Sequence, residues 1–261
     1  MTVYRHELQQ GRASFWIWTG VVGALLAVCV FLYPEMKGEM NAMGDLFSSM
    51  GSFTAAFGMD KLNFGTLLGY YAIECGNVLG LGGAFYAAIT AAGIICKEES
   101  GKTADYLFSH PISRQRILGE KLLAVFSSVT GMNLVILSLS LLSMLAVGEA
   151  IPWKELLLLH LAYYLLQLEL TGICFGLSAF LRRGSIGLGL GVAVLLYFLN
   201  IVSNLTDSAA FLKYITPFGY CDGAEITTKL SLDFPKLAIG ASFCLIGILT
   251  AWIYFPKKDL S

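Results

Sequence analysis

The segment of this sequence that most resembles a catalytic motif fails on its spacing. Gly101-Lys102-Thr103 matches the last three positions of the phosphate-binding loop G-x-x-x-x-G-K-[ST]. That loop also needs a glycine five residues before Gly101 and a preceding strand, because its backbone N–H groups must surround the phosphates. Cys96 stands at that position, at the end of a long apolar run. We therefore expect no nucleotide site of this type.

Histidine and cysteine are also poorly placed for chemistry. His6, His110 and His160 lie far apart, and none belongs to an H-E-x-x-H pair. The six cysteines show no C-x-x-C spacing, which argues against metal binding. Cys75 and Cys221 both fall near one side of the predicted membrane, where a disulfide or two free buried thiols are possible, and we expect free thiols. With no G-x-S-x-G nucleophile elbow either, the sequence predicts no enzyme active site and no bound metal.

One carboxyl lies where a carboxyl is unusual. Glu169 is 13 residues before Arg182 in an apolar run, and a rise of ~1.5 Å per residue puts it near the middle of a bilayer. Gln167 is close by, and Asn133 lies at a similar depth in another apolar run. Such side chains either line a polar translocation path or form hydrogen bonds between helices. Both interpretations stay open from sequence alone.

These residues must be held by membrane helices, because the composition is that of a membrane protein. The chain of 261 residues is 56% hydrophobic and 13% charged, whereas soluble domains are about 25% charged. Its mean hydropathy is +0.70. A transmembrane helix needs ~20 apolar residues, and six stretches qualify: 15–33, 66–95, 117–147, 153–181, 186–204 and 237–255. The predicted fold class is an all-α integral membrane protein with six transmembrane helices in a single domain.

The basic residues set the expected orientation, since Lys and Arg are retained on the cytoplasmic side. Alternate sides of the six stretches carry 11 and 6 of the 17 basic residues. The richer side includes both termini and the segment 97–121, which predicts an N-in/C-in topology. The net charge of −1 gives no indication of nucleic-acid binding.

The segments between the predicted spans also carry patterns that predict local structure. Residues 1–14 predict a short interfacial helix. The outer loop 34–65 carries apolar residues at helical spacing, which predicts an amphipathic surface helix. The outer loop 205–236 has aromatic residues around Pro217, which favour the lipid headgroup level. The glycine pairs Gly172/Gly176 and Gly187/Gly191 are spaced for close packing, either between helices of this chain or between subunits.

The segment 97–121 is the charge-dense interruption between the second and third apolar stretches. Gly101 and Pro111 break helices, and Ser113 can cap a new helix that runs through Arg114 into the third stretch. Two short helices presenting Leu107 on one side and charges on the other would suit docking in a groove of another protein. The alternative is a loop whose arginines bind lipid headgroups.

This segment resembles the first cytoplasmic loop of type-2 ABC transporter permeases. That loop combines acidic residues, a glycine, a short apolar stretch, Ser-x-Pro-x-Ser-Arg and a lysine, and matching residues here are Glu98, Glu99, Gly101, Leu107, Ser109, Pro111, Ser113, Arg114 and Lys121. The family often has threonine and isoleucine after the glycine, where this chain has Lys102 and Thr103. The stretches Tyr4-Arg5-His6-Glu7-Leu8 and Thr216-Pro217-Phe218-Gly219-Tyr220 are similar to that family as well.

The resemblance implies a permease subunit with a cytoplasmic coupling helix between spans two and three. It implies two cytoplasmic ABC ATPase subunits as partners, with ATP and Mg bound there and no cofactor in this chain, and a second permease, either a copy or a homologue. Membrane lipid is expected to surround the spans, and the expected location is the bacterial cytoplasmic membrane. Export is the family's usual role. The alternative is a secondary transporter driven by protons or ions, with Glu169 as the titrating group.

Overall fold

Six membrane-length helices account for most of the fold. The computed structural model describes residues 2–38, 51, 54, 56, 62, 65–101, 112–181 and 186–258, and these residues form helices and turns without a strand. Six helical stretches are long and apolar enough to cross a membrane. The spans, first to sixth, are α1 (Thr2–Met36), α2 to α3 (Leu67–Gly93), α5 (Arg114–Val147), α6 (Trp153–Phe180), α7 (Ile186–Leu205) and α9 (Phe234–Tyr254). The six predicted spans are confirmed, with boundaries within about three residues except at the start of the first.

The first span begins earlier than the sequence predicts. It is one helix of 35 residues, or about 52 Å, against a hydrocarbon thickness of about 30 Å. The boundary expected near residue 14 is absent, because no helix-breaking proline precedes Pro34 and the helix continues through Gly11. Residues 2–14 are therefore the first turns of this span rather than a separate helix. Their location in the interface stays a prediction.

The second span contains a widened turn. It consists of α2 (Leu67–Glu74), a π-helical segment (Cys75–Leu81) and α3 (Gly82–Gly93). Glycines in this segment make room for the fourth span: a Cβ on Gly76 would lie 2.9 Å from the Tyr163 hydroxyl, and one on Gly80 would lie 3.0 Å from the Tyr163 ring. Such π segments are often found at functional positions in helices.

Other glycines bring the remaining spans close together. A Cβ on Gly176 in the fourth span would lie 2.6 Å from the Gly247 carbonyl oxygen in the sixth, and Gly172 meets Cys244 in the same way. The pair Gly172/Gly176 thus packs within the chain. A Cβ on Gly191, by contrast, would meet no neighbouring atom within 4 Å. Both Gly187 and Gly191 are exposed on the fifth span.

The loop between the fifth and sixth spans folds back onto the helices. It contains two 3-10 helices, Asp207–Tyr214 and Pro217–Tyr220, and α8 (Gly223–Lys229). The Tyr163 hydroxyl donates to the Cys221 carbonyl at 3.0 Å, and Thr216 donates to the Leu196 carbonyl at 2.7 Å. Phe218 and Tyr220 are consequently buried in protein. They contact the helices rather than facing lipid, and the expectation that this loop lies at the headgroup level stays a prediction.

Two segments of the sequence prediction lie largely outside the described residues. The amphipathic helix expected in loop 34–65 falls mostly on residues that the structure does not describe. Of the segment 97–121, the structure describes α4 (Lys97–Ser100), Gly101 and the residues from 112 onward. Ser113 caps the third span as predicted, because its side chain accepts from the Arg116 N–H at 3.3 Å. All six cysteines are free.

Candidate functional site

The central feature of the candidate site is a buried lysine near the start of the third span. Lys121 is 1% exposed. Its ammonium donates to Glu7 Oε1 at 2.8 Å, to Glu98 Oε1 at 2.5 Å and to the Ile94 carbonyl at 2.7 Å. A lysine has three N–H donors, so each has an acceptor. The bonds join the first span, the end of the second span and α4 to the third span.

A second lysine completes this cluster. Lys97 pairs with the other carboxylate oxygen of Glu7 and donates to Gln10 Oε1 at 2.5 Å. Two ammonium groups therefore meet two carboxylates, Glu7 and Glu98, and the cluster has no net charge. Burying a charge is costly unless it is paired and hydrogen-bonded. We call Glu7, Lys97, Glu98 and Lys121 the ion-pair cluster.

A separate ion pair joins α4 to the end of the sixth span. The Lys258 ammonium lies 3.0 Å from Glu99 Oε1 and donates to the Leu181 carbonyl at 2.6 Å. Arg114 donates to the Lys258 carbonyl at 2.8 Å and to the Pro256 carbonyl at 3.2 Å. These bonds fix α4, the start of the third span and the ends of the fourth and sixth spans relative to one another.

A third carboxylate ties the first helix to the third span. Glu120 accepts from the Tyr4 backbone N–H and from Arg116 Nε, both at 3.1 Å. The first turns of the first span are thus attached to the third span at Glu120 as well as at Lys121. The ion-pair cluster, the Glu99–Lys258 pair and Glu120 thus lie at the same end of the bundle, and we call them the charged layer.

The structure shows which contacts several of the predicted coupling residues make. Glu98, Glu99 and Arg114 contact this chain itself, although the sequence suggested surfaces for a partner. The backbone N–H of Gly101 donates to the Lys97 carbonyl at 2.8 Å and ends α4. Their contribution to partner binding stays a prediction. The remaining predicted coupling residues lie outside the described residues: Lys102, Thr103, Leu107, Ser109 and Pro111.

Sequence reasoning missed three residues of this charged layer. Glu7 was named only as part of the stretch 4–8, and Glu120 and Lys258 were not named, although all three are charged residues near the end of an apolar stretch on the side richer in Lys and Arg. The sequence does indicate that charges of opposite sign lie at helix ends on the same side of the membrane. It does not indicate which acidic residue pairs with which basic residue, because many such pairs are compatible with the sequence.

Two of the predicted mid-membrane residues are bonded to each other. Asn133 Nδ2 donates to Gln167 Oε1 at 2.7 Å and to the Val129 carbonyl at 2.9 Å. Gln167 Nε2 in turn donates to the Leu79 carbonyl in the π segment at 3.3 Å. This chain of bonds joins the third, fourth and second spans. For Asn133 and Gln167, the geometry agrees with the hydrogen-bonding interpretation.

Glu169 belongs to a different contact. It lies two residues after Gln167, or about 200° around the helix, and faces the sixth span, where a Cβ on Gly240 would lie 2.0 Å from Glu169 Oε2. The Tyr220 hydroxyl faces its carboxyl. Among the described residues, neither Glu169 Oε2 nor the Tyr220 hydroxyl has a hydrogen-bond partner. Burial raises the pKa of Tyr220 well above its usual value, which keeps the hydroxyl protonated.

Metal ligands are not grouped in the part of the chain that the structure describes. No set of three or more His, Cys, Asp or Glu side chains there is placed to hold an ion. The ion-pair cluster and the Asn133–Gln167 pair bind side chains and backbone groups of this chain. The arrangement is that of a membrane component with a charged layer at one end of its helices.

A six-span helical bundle with this charged layer is the architecture of a multi-pass membrane protein. Residues 1–256 match the family described as ABC-2 family transporter protein. The chain belongs to this family and is a type-2 ABC transporter permease. The family is a membrane component that is generally non-catalytic and normally works with an ABC ATPase. A comparison with curated proteins finds no significant match. The match does not support the ion-coupled alternative.

Proposed function

We propose that this chain is the permease subunit of an exporter that moves its cargo with energy from ATP hydrolysed by two separate cytoplasmic ATPase subunits. ATP and Mg bind on those subunits. The family match supports the class of machine, and the excess of basic residues on one side supports a cytoplasmic position for the ion-pair cluster. Export is the usual role of the family, and the proposed location is the bacterial cytoplasmic membrane.

The observation that carries the proposal is the bonding of Lys121. Through Glu7 and Glu98, it fastens both the first span and α4 to the third span. A partner that moves the segment 97–121 would therefore move helices, rather than a loop that could bend independently. Coupling of this kind needs an ATPase with different affinities for two conformations of the permease.

A second permease subunit completes the proposed pore. The fifth span offers a face for it, because Gly187 and Gly191 are exposed and spaced for close helix contact. Leu195 and Phe198 continue that face and are also exposed. Glu169 stays a candidate for the translocation path, since its Oε2 has no hydrogen-bond partner among the described residues. Asn133 and Gln167 are weaker candidates, because their donors are used between helices.

The test is purification of the tagged chain from its native membrane in mild detergent, followed by reconstitution in lipid vesicles. We expect an ABC ATPase subunit to be recovered in about equal amount, with ATP hydrolysis that stops on addition of vanadate. Recovery of the chain without any ATPase would contradict the proposal. Transport that persists without ATP and stops only when an ion gradient is collapsed would also contradict it.

A further inference from the structure

A cavity of about 380 Å³ lies beside the ion-pair cluster, between the first and second spans, and the third span forms its inner wall. Gly11 in the first span and Gly93 in the second line it, and a Cβ added to either would meet no atom within 4 Å. An apolar cavity of about 150 Å³ in another protein is large enough to hold benzene. This cavity therefore has room for a longer hydrocarbon chain.

Contacts between the first and second spans bound the cavity at both ends. At one end, the ion-pair cluster joins the spans through Glu7 and Lys97. Further along, the spans meet again, where a Cβ on Gly82 would lie 3.0 Å from the Val22 side chain. Between these two contacts, residues 9–14 of the first span are all exposed. The cavity is therefore a side opening between two spans rather than a sealed void.

Two side chains at the charged end of the cavity carry hydrogen-bond donors that this chain does not use. Lys97 and Gln10 both line the cavity. The Lys97 ammonium donates to Glu7 and to Gln10 Oε1, and the third of its N–H groups is left over. The Lys97 side chain is 28% exposed. Gln10 is exposed, and its Nε2 donates to no other described residue, so the opening presents donors from both side chains.

The acceptors at this end are already occupied. Among the described residues that line the cavity, Glu7 is the one carboxylate, and its side chain is 2% exposed. Its Oε1 accepts from Lys121 and its Oε2 from Lys97. The charge that reaches the cavity is therefore that of the Lys97 ammonium. Phosphate oxygens are strong acceptors for such a group, and lipid headgroups supply them at the membrane surface.

The rest of the cavity suits a hydrocarbon chain. Tyr86 marks its far end, where the hydroxyl faces Ser128 and Thr90. Tyr86 lies 11 residues before Lys97, or about 16 Å at the helical rise, and one leaflet of the hydrocarbon core is about 15 Å thick. The donor end and the length of the cavity thus match one leaflet. Apolar side chains from three spans form much of the remaining wall: Ile89, Ile94, Ala124, Val125 and Ile186.

We propose that this cavity binds one acyl chain of a membrane phospholipid, whose phosphate oxygens accept hydrogen bonds from Lys97 and Gln10. The phospholipid comes from the leaflet on the side of the charged layer, and its second acyl chain remains in that leaflet. This inference goes beyond the proposed function and needs neither ATP nor an ATPase.

The experiment uses the full chain in phosphatidylcholine vesicles that contain a phosphatidylcholine probe with a diazirine in one acyl chain. Its matched control is the diacylglycerol with the same two chains, which lacks the phosphate. After irradiation, mass spectrometry maps the adducts, and labelling is expressed relative to the sixth span, where Leu245 and Leu249 are exposed. We expect the phospholipid to label the peptides around residues 86–94 and 124–128. The diacylglycerol should label them about tenfold less, because it lacks the hydrogen bonds to a charged group.

Two pairs of variants separate binding in the cavity from general lipid contact. Gly11→Phe fills the opening and is expected to reduce labelling by the phospholipid about tenfold. Gly20→Phe, on the same helix and with equally open surroundings but outside the lining, should leave labelling unchanged. Gln10→Met removes one source of donors and should reduce labelling about threefold. Gln9→Met, at the adjacent exposed position, should not.

Equal labelling by the two probes, or labelling that survives Gly11→Phe, would overturn the inference. So would an absence of labelling at these peptides, which is the result expected if a second copy of the chain or another protein covers the opening. If the Tm of Gly11→Phe shows that this variant does not fold, the diacylglycerol control and the comparison of Gln10→Met with Gln9→Met decide the question.

Discussion

Lys121 and Glu7 form a buried ion pair of 2.8 Å between positions 114 residues apart in the chain. The bond attaches the third span to the first at the end of the bundle where the segment 97–121 begins. Because Lys121 also binds Glu98, three elements share one ammonium group. Any rotation of one element relative to the others must break a buried charge pair, so these elements are expected to move together.

The first prediction concerns the stability of this pairing. Lys121→Met leaves Glu7 and Glu98 without their buried cation, and removing one partner of a buried pair typically costs about 3–5 kcal/mol. We expect the Tm of the variant in detergent to fall by roughly 10 °C. The control is Lys229→Met, which removes an exposed i,i+4 pair with Glu225 of 3.5 Å, a type worth less than about 1 kcal/mol. Equal Tm values for the two variants would contradict the assignment.

The sequence is informative about the spans because a bilayer imposes a simple rule. Backbone groups in hydrocarbon must be bonded within the helix, so long apolar stretches can be located without knowing what they contact. The cap at Ser113 is equally local, since it depends on Arg116 three residues away. The glycine pair Gly172/Gly176 was visible as a packing pattern, although its partner Gly247 was not.

Features that depend on partners far away in sequence could not be predicted. The pairing of Glu7 with Lys121 is one of many possible charge pairs, and only the packing of the first and third spans selects it. The π segment packs against the Tyr163 ring and accepts a hydrogen bond from the Gln167 amide, and both residues lie about 90 positions later. Phe218 lies in an aromatic loop but is buried, because that loop folds back onto the spans, and such a contact is not visible in the sequence.

The second prediction concerns helix packing. Gly176→Ala puts a methyl group 2.6 Å from the Gly247 carbonyl oxygen, which backbone atoms cannot relieve without shifting the sixth span. We expect a loss of about 1–3 kcal/mol in the free energy of unfolding, measured by thermal or denaturant unfolding in detergent. Gly191→Ala is the matched control, since nothing lies within 4 Å of that position. Comparable stability of both variants would rule out the close fourth-to-sixth span contact.

The third prediction concerns topology. Single cysteines introduced at Gln9 and Ser208 lie at exposed positions on opposite sides of the predicted membrane. A membrane-impermeant maleimide should label Ser208→Cys in intact cells and Gln9→Cys only after the membrane is opened. The unmodified chain is the control for background, because its six cysteines are buried or only partly exposed. Labelling of Gln9→Cys from outside would reverse the orientation and place the ion-pair cluster on the wrong side for an ATPase.

The last prediction separates a direct docking role of Glu99 from a positioning role. Both Glu99 and Lys258 have side chains less than 10% exposed, so Glu99 is poorly placed to contact a partner directly. Glu99→Lys sets two like charges about 3 Å apart, which costs several kcal/mol, and we expect recovery of the ATPase with the tagged chain to fall about tenfold. The exchange variant Glu99→Lys/Lys258→Glu restores the pair with its signs reversed and should restore recovery. Lys257→Glu, at an exposed neighbouring position, makes the same charge change as Lys258→Glu and should have little effect alone. If the exchange variant recovers no more ATPase than Glu99→Lys, then Glu99 itself contacts the ATPase, and the buried ion pair with Lys258 is not what couples α4 to the sixth span.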